Sequence, residues 1–376
     1  MLNCRQAAIA ICTVLLTSSL LSQTFHGTVP VTSYPQAIAV NPFTDKIYTI
    51  DEPANDITEI DGVTNATTTI PLGLNAQKSL NGALAINPLT NTIYAVDGVN
   101  NHLAIIDGAT RAVTLVPTGT NSYALAVNPY TNRVYVANFG DGTVTVVDTI
   151  TLATTTVNVG VHPSSVAIDR SRNKVYVANS GSNTVTVING ATNATATIPA
   201  GTYPANVAVN PVTHTIYAVN IISSDVTVIN GKKVSSTVQA GSSADQIGIN
   251  SLTNKIYVAG RASSNITVID GKTNATVTIP VGNSPGAIAV DEIRNKIYVL
   301  NYNNVESITT IDGKTNATST VPTEGQGSID LAVNVLTNQI YVMNNAGSSI
   351  SLFSGAAGTL PPQLLHQLII APNALR

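Results

Sequence analysis

The sequence predicts an all-β chain closed as a β-propeller of eight four-stranded blades, and three observations carry that prediction. A box reading A-[VI]-[ND]-x-x-x-x-x-[IV]-Y returns eight times, with its tyrosines at Tyr48, Tyr94, Tyr135, Tyr176, Tyr217, Tyr257, Tyr298 and Tyr341. Their steps are 46, 41, 41, 41, 40, 41 and 43 residues, and a period near 41 built only from strand and turn signals is what one blade requires. Thr, Val, Ile, Asn and Gly dominate, which is strand and turn chemistry. Finally, the two ends of the chain complement each other. The eighth repeat stops after a third strand, Ser349 to Ser354, while His26 to Val31 matches the fourth strand of the other units. Joining them makes eight blades and removes the free edge that would template aggregation; seven blades is the alternative.

From the N-terminus, residues 1–24 differ from the rest. Arg5 precedes an apolar run, Ala7 to Leu21, and then Ser22, Gln23 and Thr24, as in a secretory signal peptide. The run is too short for a stable anchor, so the expectation is an extracytoplasmic protein: secreted, periplasmic or at the cell surface, with no transmembrane anchor in the mature chain. Both cysteines, Cys4 and Cys12, fall in this segment, leaving the remainder without thiol chemistry.

Residues 25–360 then read as one propeller domain, and the unit from Pro163 to Gly201 shows its grammar best. Ser165 to Ile168, Lys174 to Ala178, Thr184 to Ile188 and Ala194 to Pro199 are its four strands. Asn-Pro pairs such as Asn128-Pro129 and Asn210-Pro211 mark a tight first turn, in which proline presets φ and Asn caps. Asp-Gly or Asn-Gly at Asp61-Gly62, Asn189-Gly190, Asp270-Gly271 and Asp312-Gly313 marks the turn between third and fourth strands, with glycine expected at positive φ. Inner strands, covered on both faces, should be continuously apolar and outer strands should alternate. First-strand alanines suit the crowded axis, and each repeat tyrosine should bury its ring while finding a partner for its hydroxyl. Residues 361–376 are a C-terminal tail.

The phrases VTVINGATNATATIP, KIYVAG and RVYVANFGDGTVTVVD resemble the YVTN-repeat, or YncE-like, β-propeller proteins across about Pro30 to Gly355. That resemblance implies the fold and a compartment outside the cytoplasm far more than an activity, since propellers host unrelated functions.

The formal net charge is -3, so no global basic field recruits nucleic acid. Gly282 to Gly286 spells G-x-S-x-G, but it joins two strands rather than a strand and a helix. The five histidines lack metal-ligand spacing. Asn-x-Thr at Asn65, Asn193, Asn274 and Asn316 recurs as repeat consensus.

Departures from the repeat are more informative. Extra residues fall around Leu74 to Asn81, at Tyr302 to Ser307 and at Thr323 to Ser328, all on one face and in neighbouring blades once the ring closes. Candidate binding residues there are Lys78, Tyr302 and Glu306. At the axial mouth the position two before the first-strand alanine is polar in Asn206, Gln246 and Asp330, and Asp245 lies beside it. No cofactor is required, and the one ion suggested is calcium, with Asp51, Glu52, Asp97 and Glu324 as candidate ligands. The functional expectation is a binding or scaffold protein that contacts a protein or cell-envelope polysaccharide partner. The alternative is a metal-dependent lactonase- or lyase-like hydrolase at the pore mouth.

Overall fold

The computed structural model describes residues 23–52, 54–73, 83–231, 233–302 and 305–356. These form eight antiparallel four-stranded sheets arranged as a β-propeller, with strands a to d running outward from the axis in each blade. Blade 1 is Pro35–Asn41, Lys46–Asp51, Asp56–Asp61 and Thr67–Pro71. Blades 2 to 7 repeat that order. In blade 8 strands a to c are Ser328–Asn334, Gln339–Asn344 and Ser349–Ser354, and strand d is the N-terminal segment Thr24–Pro30.

The predicted closure therefore exists, with Phe25 opposite Phe353 and Val29 opposite Ile350. A bulge between Phe25 and Gly27 is turned by Gly27 at φ 127°. The closing strand begins at Thr24 rather than His26, and Gln23 is buried with its side-chain amide on Thr310 Oγ1. The folded domain thus reaches at least two residues before the expected boundary at 25, because the pairing continues beyond the repeat motif. The apolar run Ala7 to Leu21, the loop Leu74 to Asn81 with Lys78, and the tail 361–376 lie outside the described residues.

Core side chains sit between blades. Tyr48, Ile50 and Ile57 of blade 1 pack on Ile93, Ala95, Ala104 and Ile106 of blade 2. Val29 and Ile350 of blade 8 pack on Ile38, Ile47 and Ile60 of blade 1. As a result the b strands are buried almost throughout, whereas Thr67–Pro71 buries only Ile70. Burial leaves Tyr48 and Tyr257 with no hydroxyl partner among the described residues, contrary to expectation, and pushes the Tyr257 hydroxyl up to about 12. Ring burial, worth roughly 2 kcal/mol, outweighs the unmade bond. Tyr298 does find one, accepting from the Ala356 N–H at 3.2 Å.

Two turns alternate on the lower face, where a–b and c–d connections emerge. The a–b turn is capped as predicted, with Asn41 Oδ1 accepting from the Phe43 N–H at 3.1 Å. Every blade also places one residue of this turn at positive φ: Asp45, Asn91, Asn132, Asn173, His214, Asn254, Asn295 and Asn338. Six of these side chains, those of Asp45, Asn91, Asn173, His214, Asn254 and Asn295, join neighbouring blades. Asn41 Nδ2 donates to Asn91 at 2.7 Å, Asn250 to Asn295 at 2.8 Å, and across the closure Asn334 to Asp45 at 2.6 Å. Blades 4 and 5 make the link with Asp169 and His214, 2.8 Å apart.

The c–d turn corrects the sequence reading. Gly62, Gly190, Gly271 and Gly313 are not at positive φ; Asn65, Asn193, Asn274 and Asn316 are, at φ 58–61°. Asp61 Oδ1 takes the Val63 and Thr64 N–H groups, and Thr64 Oγ1 takes the Ala66 N–H. The asparagine of the Asn-x-Thr consensus is thus turn chemistry: it tolerates the left-handed conformation, and the threonine before it caps, while the threonine of the consensus itself begins strand d. The glycine is needed for close approach instead, because a Cβ on Gly62 would lie 2.6 Å from the Asp45 carbonyl oxygen. Gly62→Ala is expected to cost about 1–3 kcal/mol in equilibrium denaturation, whereas Val63→Ala next to it, at an exposed position, should change stability by less than about 0.5 kcal/mol.

Candidate functional site

On the upper face, where b–c turns and d–a connections emerge, the regular blade ends are interrupted by a cavity of about 900 Å³. It is built from Arg261 in the b–c turn of blade 6, Tyr302, Val305 and Glu306 in that of blade 7, and the 322–329 connection between blades 7 and 8. Two of the three loops singled out by their extra length therefore form one groove.

Tyr302 is positioned by a missing side chain. Its ring lies over Gly286, where a Cβ would come 1.8 Å from Cε2. From there its hydroxyl accepts from the Ala287 N–H at 3.1 Å and donates to the Ile329 carbonyl at 2.7 Å, tying blade 7 to blade 8. Burial and then the charge of Asp330 push this hydroxyl up to about 12. The Arg261 guanidinium stacks 5.1 Å from the ring centre, a cation–π contact, and lies 3.5 Å from the Asp245 carboxylate.

Glu306, which lines the groove, also clamps its wall. Its carboxylate accepts from the Gly327 and Ser328 N–H groups at 3.0 and 2.8 Å, and its carbonyl accepts from the Thr323 N–H at 3.0 Å. It holds the two loops together and so fixes the groove wall.

Toward the axis the polar positions predicted from the repeat do meet. Ser165 Oγ donates to Asn206 Oδ1 at 3.1 Å, and Asn206 Nδ2 donates to Gln246 Oε1 at 3.3 Å. This arc crosses blades 4 to 6 and continues through Asp245, Arg261 and Tyr302 to Asp330. Asp330 accepts from the Leu331 N–H at 2.8 Å, and burial pushes its carboxyl up to about 6. Burial also raises the Asp245 carboxyl, with Arg261 opposing, and Asp245 Oδ1 is buried without a partner. Blades 1, 2, 3 and 7 place Ala37, Ala83, Ala124 and Ala287 at the corresponding position, so the polar residues at this position come from blades 4, 5, 6 and 8.

The proposed calcium ligands are not collected. Asp51 and Asp97 both end strand b, one per blade, so the rotation between blades separates them. Asp51 accepts from Thr49 at 2.9 Å and from Thr58, Asp97 caps its own turn through the Val99 and Asn100 N–H groups, and Glu52 accepts from Gln36 at 3.2 Å. Glu324 is exposed on the groove. Among the described residues no group of three or more His, Cys, Asp or Glu is disposed to hold an ion.

Arg261 and Ser165 escaped the sequence reading. The signal was present for Arg261, since the residue following strand b is Gly98, Phe139, Ser180 or Ile221 in other blades and a cation only in blade 6.

No family model matches the sequence, and no curated protein does. Among solved structures the chain is similar to hydrazine synthase from Kuenenia stuttgartiensis, with 19% identity and a TM-score of 0.61 over 76% of this chain and 98% of that one. At that identity the likeness shows the propeller fold alone.

Proposed function

We propose that this is a YVTN-repeat, YncE-like propeller that acts outside the cytoplasm as a binding scaffold, holding a protein or cell-envelope polysaccharide partner on its upper face. The observation that carries the reading is the groove over blades 6 to 8. It opens where two loops depart from the repeat, it is walled by a carboxylate clamp, and it presents a solvent-reachable guanidinium on an aromatic ring. Concave, partly apolar surfaces with a few fixed polar groups are where ligands settle. The N-terminal apolar run supports export.

Gly286→Ala tests the groove, with its melting compared to wild type because Tyr302 also packs against the core between blades 7 and 8. The new methyl group must displace the Tyr302 ring, which also unseats Arg261. In pull-downs from an envelope fraction the wild-type protein is expected to retain a partner that Gly286→Ala and Arg261→Ala both lose by about tenfold or more. Equal retention by all three overturns the assignment.

A second reading, a metal-dependent lactonase- or lyase-like hydrolase at the pore mouth, is favoured by the raised carboxyls of Asp245 and Asp330, since shifted acids gather at reaction sites. Calcium-dependent melting abolished by Asp330→Asn would support it, and melting indifferent to calcium and EDTA would count against it.

A further inference from the structure

We infer that the upper face carries a second site, over blades 3 and 4, that binds the sugar rings of an uncharged polysaccharide. Its wall is a stack of three aromatic rings with Tyr123 at the exposed end. Tyr123 and Phe139 have ring centres 5.9 Å apart at 46°, and Phe139 stacks on His162 at 4.4 Å with an interplanar angle of 4°. None of the three belongs to a hydrophobic cluster between blades, and Tyr123 is 48% exposed. Solvent-facing aromatics gathered in a row, outside the core, mark an interaction surface rather than a packing need.

The row is built by departures from the repeat. The second residue of strand a is Gln36, Ser164, Ala205, Gly286 or Ile329 in other blades and Tyr123 only in blade 3, and the residue following strand b is Phe139 only there. His162, in the next d–a connection, stands at positive φ. The backbone pins all three in place. The Phe139 N–H donates to the Asn121 carbonyl at 3.0 Å, the Gly140 N–H to the Thr120 carbonyl at 3.1 Å, and the Ser180 N–H and Oγ to the His162 carbonyl at 3.0 and 2.9 Å. Gly181 leaves room for the His162 ring, since a Cβ there would lie 2.8 Å from Nδ1. A platform fixed in this way binds at little ordering cost.

The surroundings select the occupant. The loops around the row, residues 119–125, 138–143, 160–165 and 179–184, contain no Lys or Arg and a single acid, Asp141. The Asp141 carboxylate accepts from the Thr120 N–H at 2.6 Å and from its hydroxyl. A nucleic-acid strand also stacks on aromatic rings, but it needs cations along its backbone, and an acidic polysaccharide meets the same lack. An uncharged sugar ring matches both features: its C–H face lies on the exposed Tyr123 ring, and its hydroxyls meet the exposed neutral side chains of Thr120 and Asn121.

This inference stands apart from the groove over blades 6 to 8, with different residues and a different probe. In titrations of the full chain with cellohexaose and chitohexaose, at least one should bind. Tyr123→Ala and Phe139→Leu should each weaken that binding tenfold or more, Tyr123→Phe should retain it, and Arg261→Ala should leave it unchanged. Melting of Tyr123→Ala should match wild type, which separates a lost contact from a lost fold. Binding of neither hexasaccharide, binding indifferent to Tyr123→Ala, or tighter binding of oligo-dT or polygalacturonate overturns the inference.

Discussion

A chain that starts at Thr32 is expected to lose the native fold, because the missing Thr24–Pro30 strand is what closes the ring. Without it Ser349–Ser354 becomes a free edge, and the cluster of Val29, Ile38, Ile47, Ile60 and Ile350 opens to water. Burying each Val or Ile is worth roughly 1.5–3 kcal/mol, and whole domains are stable by only about 5–15 kcal/mol. Truncation should therefore remove most of the stability, with aggregation through the exposed edge. A point variant asks the same question without shortening the chain. Val29→Asp places a carboxylate at a position 4% exposed, with an expected loss of about 3–5 kcal/mol. Val63→Asp, at a position 80% exposed, should stay within about 0.5 kcal/mol of wild type. The measurement is chemical denaturation with light scattering. A soluble truncated chain that melts like wild type would contradict the closure.

The second large effect concerns Asp51, where blade 1 departs from the asparagine that ends strand b in blades 3, 4, 5, 7 and 8. In blades 3 and 4 the amide does two jobs. Asn138 Oδ1 accepts from the Gly119 N–H at 3.1 Å while its Nδ2 donates to Thr145 at 2.9 Å. Asp51 has no donor to offer, so Thr58 must donate to it instead. It is fully buried, and burial pushes its carboxyl up from 3.8 to about 6, with neighbouring Asp56 adding to the rise. Between those values the folded protein binds a proton that the unfolded chain has released. The stability contributed by Asp51 is therefore fully present below about pH 4 and is lost as pH rises toward 6, by about 3 kcal/mol for a shift of this size. Asp51→Asn is expected to remove the Asp51 share of that slope, leaving the share of Asp330, whose carboxyl is also pushed up to about 6, and to be more stable than wild type by about 2 kcal/mol at pH 7, the two proteins converging below pH 4. Denaturation midpoints at pH 4 and pH 7 decide it, and an unchanged slope in the variant would show that Asp51 is not the titrating group.

Both effects arise where one blade breaks a rule kept by most of the others, and that contrast bounds what could be read from the chain. Blade number, strand order and the pairing of the two ends were legible because each rests on local pattern: strand period, turn residues and a count of repeats. Glycine in the c–d turns was legible as a requirement but not for its reason. Its neighbour, Asp45 or the equivalent Asn, comes from a turn some 17 residues earlier, and only the folded sheet brings that turn against it.

Site residues divided in the same way. Tyr302 stood out by loop length, and Asn206 and Gln246 by their place in the repeat, which also located them at the mouth. The role of Glu306 as a clamp, the seat of Tyr302 on Gly286, and the meeting of Arg261 with Asp245 depend on distances across blades that no spacing along the chain encodes. The same holds for Tyr123, Phe139 and His162, which belong to a strand, a b–c turn and a d–a connection. Sequence alone determined the repeating unit, because hydrophobic alternation and turn preference act between near neighbours. Tertiary structure alone decided which exceptional side chains share a surface, because closing the ring sets blade against blade and that geometry is absent from any single repeat.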